Sequence, residues 1–103
     1  MTSPKRVRLC SLADLSRGRQ TIDLGEDAVL VLVDRGTIHV LDAHCPHQYA
    51  PLHSGPIEAG VLVCPHHGWR FRLSDGVSPD TPCIRIRKWP SFIEDGAVWT
   101  EIA

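Results

Sequence analysis

The stretch Cys45–Phe71, "CPHQYAPLHSGPIEAGVLVCPHHGWRF", sets a Cys-Pro-His and a Cys-Pro-His-His within 27 residues. Cys45 and His47 are separated by one residue, Cys64 and His67 by two, with 16 residues from Gln48 to Val63 between the pairs. Metal ligands must converge on a point, and tight loops between strands are a common way to bring them there. The intervening "SGPIEAGVLV" is long enough to hold a short strand that returns the second loop beside the first. Pro46 and Pro65 restrict the chain right at these residues. Gly68 relieves crowding where the backbone must approach the site closely. Each loop offers one thiol and one imidazole, but the second contains two adjacent histidines, His66 and His67.

A Cys₂His₂ set suits structural zinc. The usual zinc-finger spacing differs, with the two cysteines together and the two histidines together on a helix. Here each loop mixes the two types, an arrangement that makes sense if thiolates serve one metal and imidazoles another. Disulfides are the other common use of four cysteines in a short chain. Cys45 and Cys64 sit beside histidines and no apolar leader is visible behind "MTSPKRVRLC", so metal binding and a cytoplasmic location are expected instead. Cys10 and Cys83 stand alone and are expected to pack as small reduced hydrophobes.

At 103 residues the chain is expected to be one domain, 1–103. A composition 43% hydrophobic and 22% charged is that of a globular protein. Eleven basic residues against twelve acidic ones leave a net charge of −1, so no strong field favours nucleic acid or an anionic membrane. The longest apolar run, Ala28–Val33, is too short to span a bilayer. Strand signals dominate. "RVRLC" alternates polar and apolar residues, and "AVLVLVD", "RG", "TIHVL" reads as a hairpin. Further strands are expected at Val61–Cys64, Trp69–Leu73, Ile84–Lys88 and Ala97–Ile102, separated by "EAG", "SDG", "SPDTP" and "EDG". Only "SLADLSRG" suggests a helical turn. About seven short strands at this spacing imply an all-β sandwich or small barrel.

The pattern Cys-x-His, then Cys-x-x-His-Gly-Trp, resembles the Rieske iron–sulfur signature, and the flanks "APLHSG", "SDG" and "FIEDGAVW" are similar to those of small bacterial Rieske ferredoxins. The resemblance extends roughly from the hairpin to the C-terminus. It implies an all-β Rieske fold, a small antiparallel β-sandwich with two cluster-binding loops at one end. It implies one 2Fe-2S cluster, with Cys45 and Cys64 on one iron and His47 and His67 on the other. His67, not His66, satisfies the two-residue gap. His66 would lie in the loop without binding iron, and His44 and His53 are expected at the surface. His39 is expected on the polar face of its strand. Pro79 and Pro82 in "SPDTP" resemble the proline-containing loop that shields the cluster. Arg70, Arg72, Arg85, Arg87 and Lys88 are expected on the solvated faces of strands, and Trp69 under the second loop.

Two thiolates, two sulfides and two ferric ions make a formally neutral cluster, which accepts an electron more readily than a four-thiolate one. High-potential relatives carry a disulfide at the positions matching Ala50 and His66, and hydroxyls at those matching Trp69 and Phe71. Their absence here implies the low end of the Rieske range, roughly −150 mV. The resemblance implies a soluble one-electron carrier that is not itself an enzyme. It would receive electrons from a flavin-dependent NAD(P)H reductase and pass them to the terminal oxygenase of an aromatic-ring-hydroxylating system, with Pro46, Gln48, Tyr49, Pro65, His66 and the "SPDTP" loop as the docking rim. The alternatives are a small Rieske subunit of a larger reductase, such as assimilatory nitrite reductase, and a structural zinc module.

Overall fold

The computed structural model describes residues 5–46 and 49–102. Its strands are β1 (Lys5–Ser11), β2 (Gln20–Asp23), β3 (Ala28–Asp34), β4 (Thr37–Asp42), β5 (Ile57–Glu58), β6 (Val61–Val63), β7 (Arg70–Arg72), β8 (Lys88–Trp89), β9 (Phe92–Glu94) and β10 (Ala97–Ile102), with one short helix, α1 (Leu12–Ser16). Ser11 caps that helix, its side-chain oxygen accepting from the Asp14 N–H at 2.9 Å.

The run "AVLVLVD" forms β3 at the heart of the molecule. Its residues are buried on both faces: Leu30 and Leu32 enter one core, Val29 and Val31 another. That two-sided burial is why the run reads as continuously apolar, without alternation. β3 pairs with β4 from Val29–Asp42 to Asp34–Thr37, and the connecting Arg35 and Gly36 have φ of 49° and 81°. Two successive left-handed residues match the right-handed twist of a hairpin. The same device, Ala59-Gly60 and Asp95-Gly96, turns β5 into β6 and β9 into β10.

All strand pairs are antiparallel, in three sheets: β2-β3-β4-β8 at the centre, β1-β10-β9 on one side and β5-β6-β7 on the other. Between the centre and β1-β10-β9 lies a core of Leu9, Cys10, Leu15, Val29, Val31, Val40, Trp89 and Val98. Toward β5-β6-β7 lies a second core that includes Leu30, Leu41, Leu52, Leu62, Phe71, Ile86 and both Cys45 and Cys64.

Three expectations need correction. Ile84–Lys88 is not one strand. Arg85 bridges Val77, the Ile86 N–H donates to Gly76 and the Asp42 N–H to Arg87, so the segment shares its backbone bonds between two partners and only Lys88 enters a ladder, opposite Leu41. Its alternation is real in burial, however, with Ile86 buried and Arg85 and Arg87 exposed. Lys88 is half-buried, its ammonium donating to the Leu73 carbonyl at 2.6 Å and to His39 Nδ1 at 2.9 Å. Cys83 is exposed, while Cys10 is buried as expected, and no disulfide joins them. Gln20–Asp23, Ile57–Glu58 and Phe92–Glu94 are strands that the sequence pattern did not reveal. Among the described residues no helix is long and apolar enough to cross a membrane.

Candidate metal centre

The necks of the two cysteine loops are hydrogen-bonded alike. In the first loop the Cys45 N–H donates to the Ala50 carbonyl at 2.8 Å, and the Tyr49 N–H donates back to the Cys45 carbonyl at 2.8 Å. In the second, the Cys64 N–H donates to Trp69 at 2.7 Å and the Gly68 N–H to Cys64 at 2.9 Å. The fifth residue of each loop is left-handed, Tyr49 at φ 57° and Gly68 at 73°. A glycine adopts this conformation freely, whereas a tyrosine is strained there by about 1 kcal/mol. Each loop is thus closed at its neck by a reciprocal pair of backbone bonds around its cysteine.

The loops emerge from different sheets. The first follows β4, with the Leu52 N–H donating to the Ala43 carbonyl at 2.9 Å on the return. The second joins β6 to β7, paired through Leu62–Phe71 and Val63–Arg70. Both cysteines end in one core, 0% and 1% exposed, while Pro46, Tyr49, Pro65, His66 and His67 are exposed. The His66 and His67 rings stand nearly perpendicular, with centroids 6.4 Å apart and planes at 76°. His47 and Gln48 lie outside the described residues. Among the described residues no three Cys, His, Asp or Glu side chains form a metal-holding group, and the fourth expected ligand, His47, is not among them.

A third segment flanks the loops. Ser78 is buried, and its Oγ accepts from the Asp80 and Thr81 N–H groups at 3.3 and 3.2 Å. Arg70, at the start of β7, forks onto the Asp80 carboxylate through Nε at 2.8 Å and Nη2 at 2.6 Å. These bonds to Arg70, and then its charge, hold the Asp80 carboxyl below the usual carboxylate range. An open cavity of about 360 Å³ is lined by Pro46, Trp69, Cys83, Ile84 and Arg85, so residues of both loops and of the segment from Cys83 to Arg85 border one space. Pro79 and Pro82 are exposed at its outer side. On the other flank of the first loop a groove of about 330 Å³ is lined by Glu26, Asp27, Asp42, His44, Pro46 and Tyr49.

The remaining sequence candidates sort by position. His44 and His53 are exposed, and Trp69 packs partly buried against the cysteine-bearing core. Asp80 went unrecognised in the sequence. "SPDT" carries a local turn signal, but its partner Arg70 is ten residues away and only the fold pairs them.

The model of the Rieske [2Fe-2S] domain matches residues 5–90. The chain belongs to the Rieske family. It is 35% identical over 94 residues to the ferredoxin component of the alkene monooxygenase system of Xanthobacter autotrophicus, covering 89% of this chain and 77% of that protein. It is also 35% identical to 4beta-methylsterol monooxygenase of Methylococcus capsulatus, where the match takes in 73% of this chain but only 23% of the larger protein. The Sphingomonas yanoikuyae B1 ferredoxin superposes with a TM-score of 0.83 at 30% identity, over 96% of this chain and 100% of that one. The fold also recurs, at a TM-score of 0.79 and 20% identity over 92% and 91% of the two chains, in the complex of reduced oxygenase and oxidized ferredoxin in carbazole 1,9a-dioxygenase.

A Rieske chain carries one 2Fe-2S cluster, and the donor set of this chain suits it. Two thiols, soft donors, are sunk in a shared apolar core beneath the loops. The imidazole of His67, three residues after Cys64, is exposed. That division between an inner thiolate side and an outer imidazole side is the asymmetry a Rieske cluster requires.

Proposed function

We propose that this chain is the ferredoxin component of an oxygenase system. It takes one electron at a time from a flavin-dependent NAD(P)H reductase and delivers it to a terminal Rieske non-haem iron oxygenase. The observation that carries the reading is the likeness to a ferredoxin component over 77% of that relative's length, against 23% for the longer oxygenase. As a single Rieske domain, 1–103, the chain works in the cytoplasm as a carrier and not as a catalyst.

When bound, the cluster supplies one reversible electron. Cys45 and Cys64 would hold one iron from the core side, and His47 and His67 would hold the other. Burial of both cysteines keeps water from the thiolate side. Exposed Pro46, Tyr49, Pro65 and His66 surround the outer side and form the contact rim, with Tyr49 78% exposed. Trp69 and Phe71 bring no hydroxyl to the sulfurs, and Phe71 is 1% exposed, so solvent does not substitute for the missing donor there. Fewer donors stabilise added negative charge less, which sets the potential near the low end, roughly −150 mV.

Reconstitution tests the proposal. With a flavin reductase, NADH and a Rieske oxygenase, substrate turnover is expected to require this protein and to saturate with its concentration. Turnover unchanged by its omission would refute the carrier role. Purification as a tight subunit of a large reductase would move it to the nitrite reductase class, and a colourless zinc-bearing protein would refute the cluster.

A further inference from the structure

The two Cys-Pro-His loops hang from different sheets, and no strand pairing joins β4 to β6 or β7. The segment between the loops supplies the connection. After the first loop the Leu52 N–H bonds the Ala43 carbonyl at 2.9 Å, and the Gly55 N–H then bonds the Leu52 carbonyl at 3.0 Å. Gly55 lies flush on the end of β6, where any Cβ would strike the Val63 carbonyl oxygen. The Val63 N–H donates in turn to Pro56 at 2.9 Å. The turn Leu52–Pro56 therefore rests on the base of the first loop through Ala43, and on the residue before Cys64 through Val63.

Arg19 closes this turn from outside. It stands between α1 and β2, and its Nη1 donates to the His53 carbonyl at 3.0 Å and to the Gly55 carbonyl at 2.5 Å. A guanidinium on carbonyl oxygens makes stronger bonds than a neutral donor, and its planar fork loses little freedom in doing so. β2 belongs to the central sheet, the sheet that also carries the first loop on β4. The bonds of Arg19 thus fasten the support of the second loop to the sheet of the first.

We propose that Arg19 is a positioning residue for the cluster: by pinning the Leu52–Pro56 turn it fixes the separation of Cys45 and Cys64. It acts through backbone carbonyls, and the proposal rests on the reading of those cysteines as ligands. A small relaxation of the turn would let the second loop shift against the first and alter how the two thiolates share their iron.

The test uses the cluster-loaded protein with Arg19→Ala and Arg19→Lys, and Arg17→Ala, on the same connection and exposed, as the control. In Arg19→Ala the rhombic EPR lines of the reduced protein are expected to shift and broaden. Loss of visible absorbance in the presence of an iron chelator should accelerate by about tenfold. Arg19→Lys should fall between it and the wild type, and Arg17→Ala should match the wild type. In metal-free protein, Cys64 should react faster with a thiol reagent in Arg19→Ala. Unshifted EPR lines and an unchanged rate of cluster loss, with only a lower thermal midpoint, would overturn the proposal and leave Arg19 a general stabiliser. Should Arg19→Ala fail to fold, Arg19→Gln carries the same expectations and the same refutation. A wild-type protein lacking the rhombic signal would instead overturn the ligand reading.

Discussion

His66 and His67 pose the sharpest choice among single residues, because two regularities disagree about them. The necks at Cys45–Ala50 and Cys64–Trp69 match in their hydrogen bonds, and in the sequence His66, not His67, has the same offset from its cysteine that His47 has from Cys45. The Rieske spacing pairs His47 with His67 instead. Ligation by His67 breaks the symmetry of the loops if the spacing holds. His67→Ala should abolish the rhombic EPR signal and the visible spectrum, whereas His66→Ala should leave both close to wild type. The reverse pattern would show that backbone equivalence, not spacing, selects the ligand. That Cys45 and Cys64 belong together was legible in the sequence because two Cys-Pro-His segments lie within one short stretch, and the fold buries both in one core. The exposure of Cys83 was not, since an isolated cysteine carries no periodicity to place it.

Among elements, the β3–β4 hairpin was the most legible, because two apolar runs flank Arg35-Gly36; at Ala59-Gly60 and Asp95-Gly96 the glycine marked only a break, although the same left-handed pair turns the chain there. Strands of two to four residues such as β2, β5 and β9 are too short to show a pattern. The Ile84–Arg87 segment shows the converse, alternation without a ladder, because burial and strand pairing are separate requirements, and Lys88 after it opens β8. Lys88 also creates a pH-sensitive contact between β4 and β8. Lys88 donates to His39 Nδ1, which places the ring proton on Nε2 and keeps the imidazole neutral. Burial first, and the Lys88 charge second, push the His39 pKa below 6.5, against the weaker opposing pull of Asp34 and the Leu73 carbonyl. The unfolded chain then takes up its proton first as pH falls, so the contribution to stability is present above about 6.5 and is lost below it. Denaturant midpoints should decline as pH falls through that window, and His39→Gln should flatten this part of the profile. An equal decline in His39→Gln would place the titrating group elsewhere. The lowered carboxyls of Asp75 and Asp80 act in a separate range, with stability lost as pH falls below 3.8.

For the whole molecule, the division into two cores separates stability from cluster retention. Cys45 and Cys64 belong to the core between the central sheet and β5-β6-β7, together with Leu62 and Phe71. Leu9 lies in the opposite core, among Cys10, Leu15, Trp89 and Val98. The central sheet stands between them, with Leu30 and Leu32 facing one side and Val29 and Val31 the other. Removing a buried leucine side chain costs about 2–5 kcal/mol wherever it sits, through lost transfer energy and the cavity left behind. Leu62 is 0% exposed and Leu9 7%, so Leu62→Ala and Leu9→Ala should both lower the unfolding free energy within that range. Their effects on the cluster should differ. Leu62 sits on β6 directly before Val63 and Cys64, so a cavity there loosens the anchor of the second loop and lets water approach the thiolate side. Leu62→Ala should lose visible absorbance faster than the wild type under conditions where both remain folded. Leu9→Ala, with the central sheet between its cavity and the cysteines, should keep the wild-type rate of cluster loss despite its lower stability. Equal acceleration in both variants would mean that the cluster is retained by global stability alone, with the cysteine-bearing core contributing no local protection.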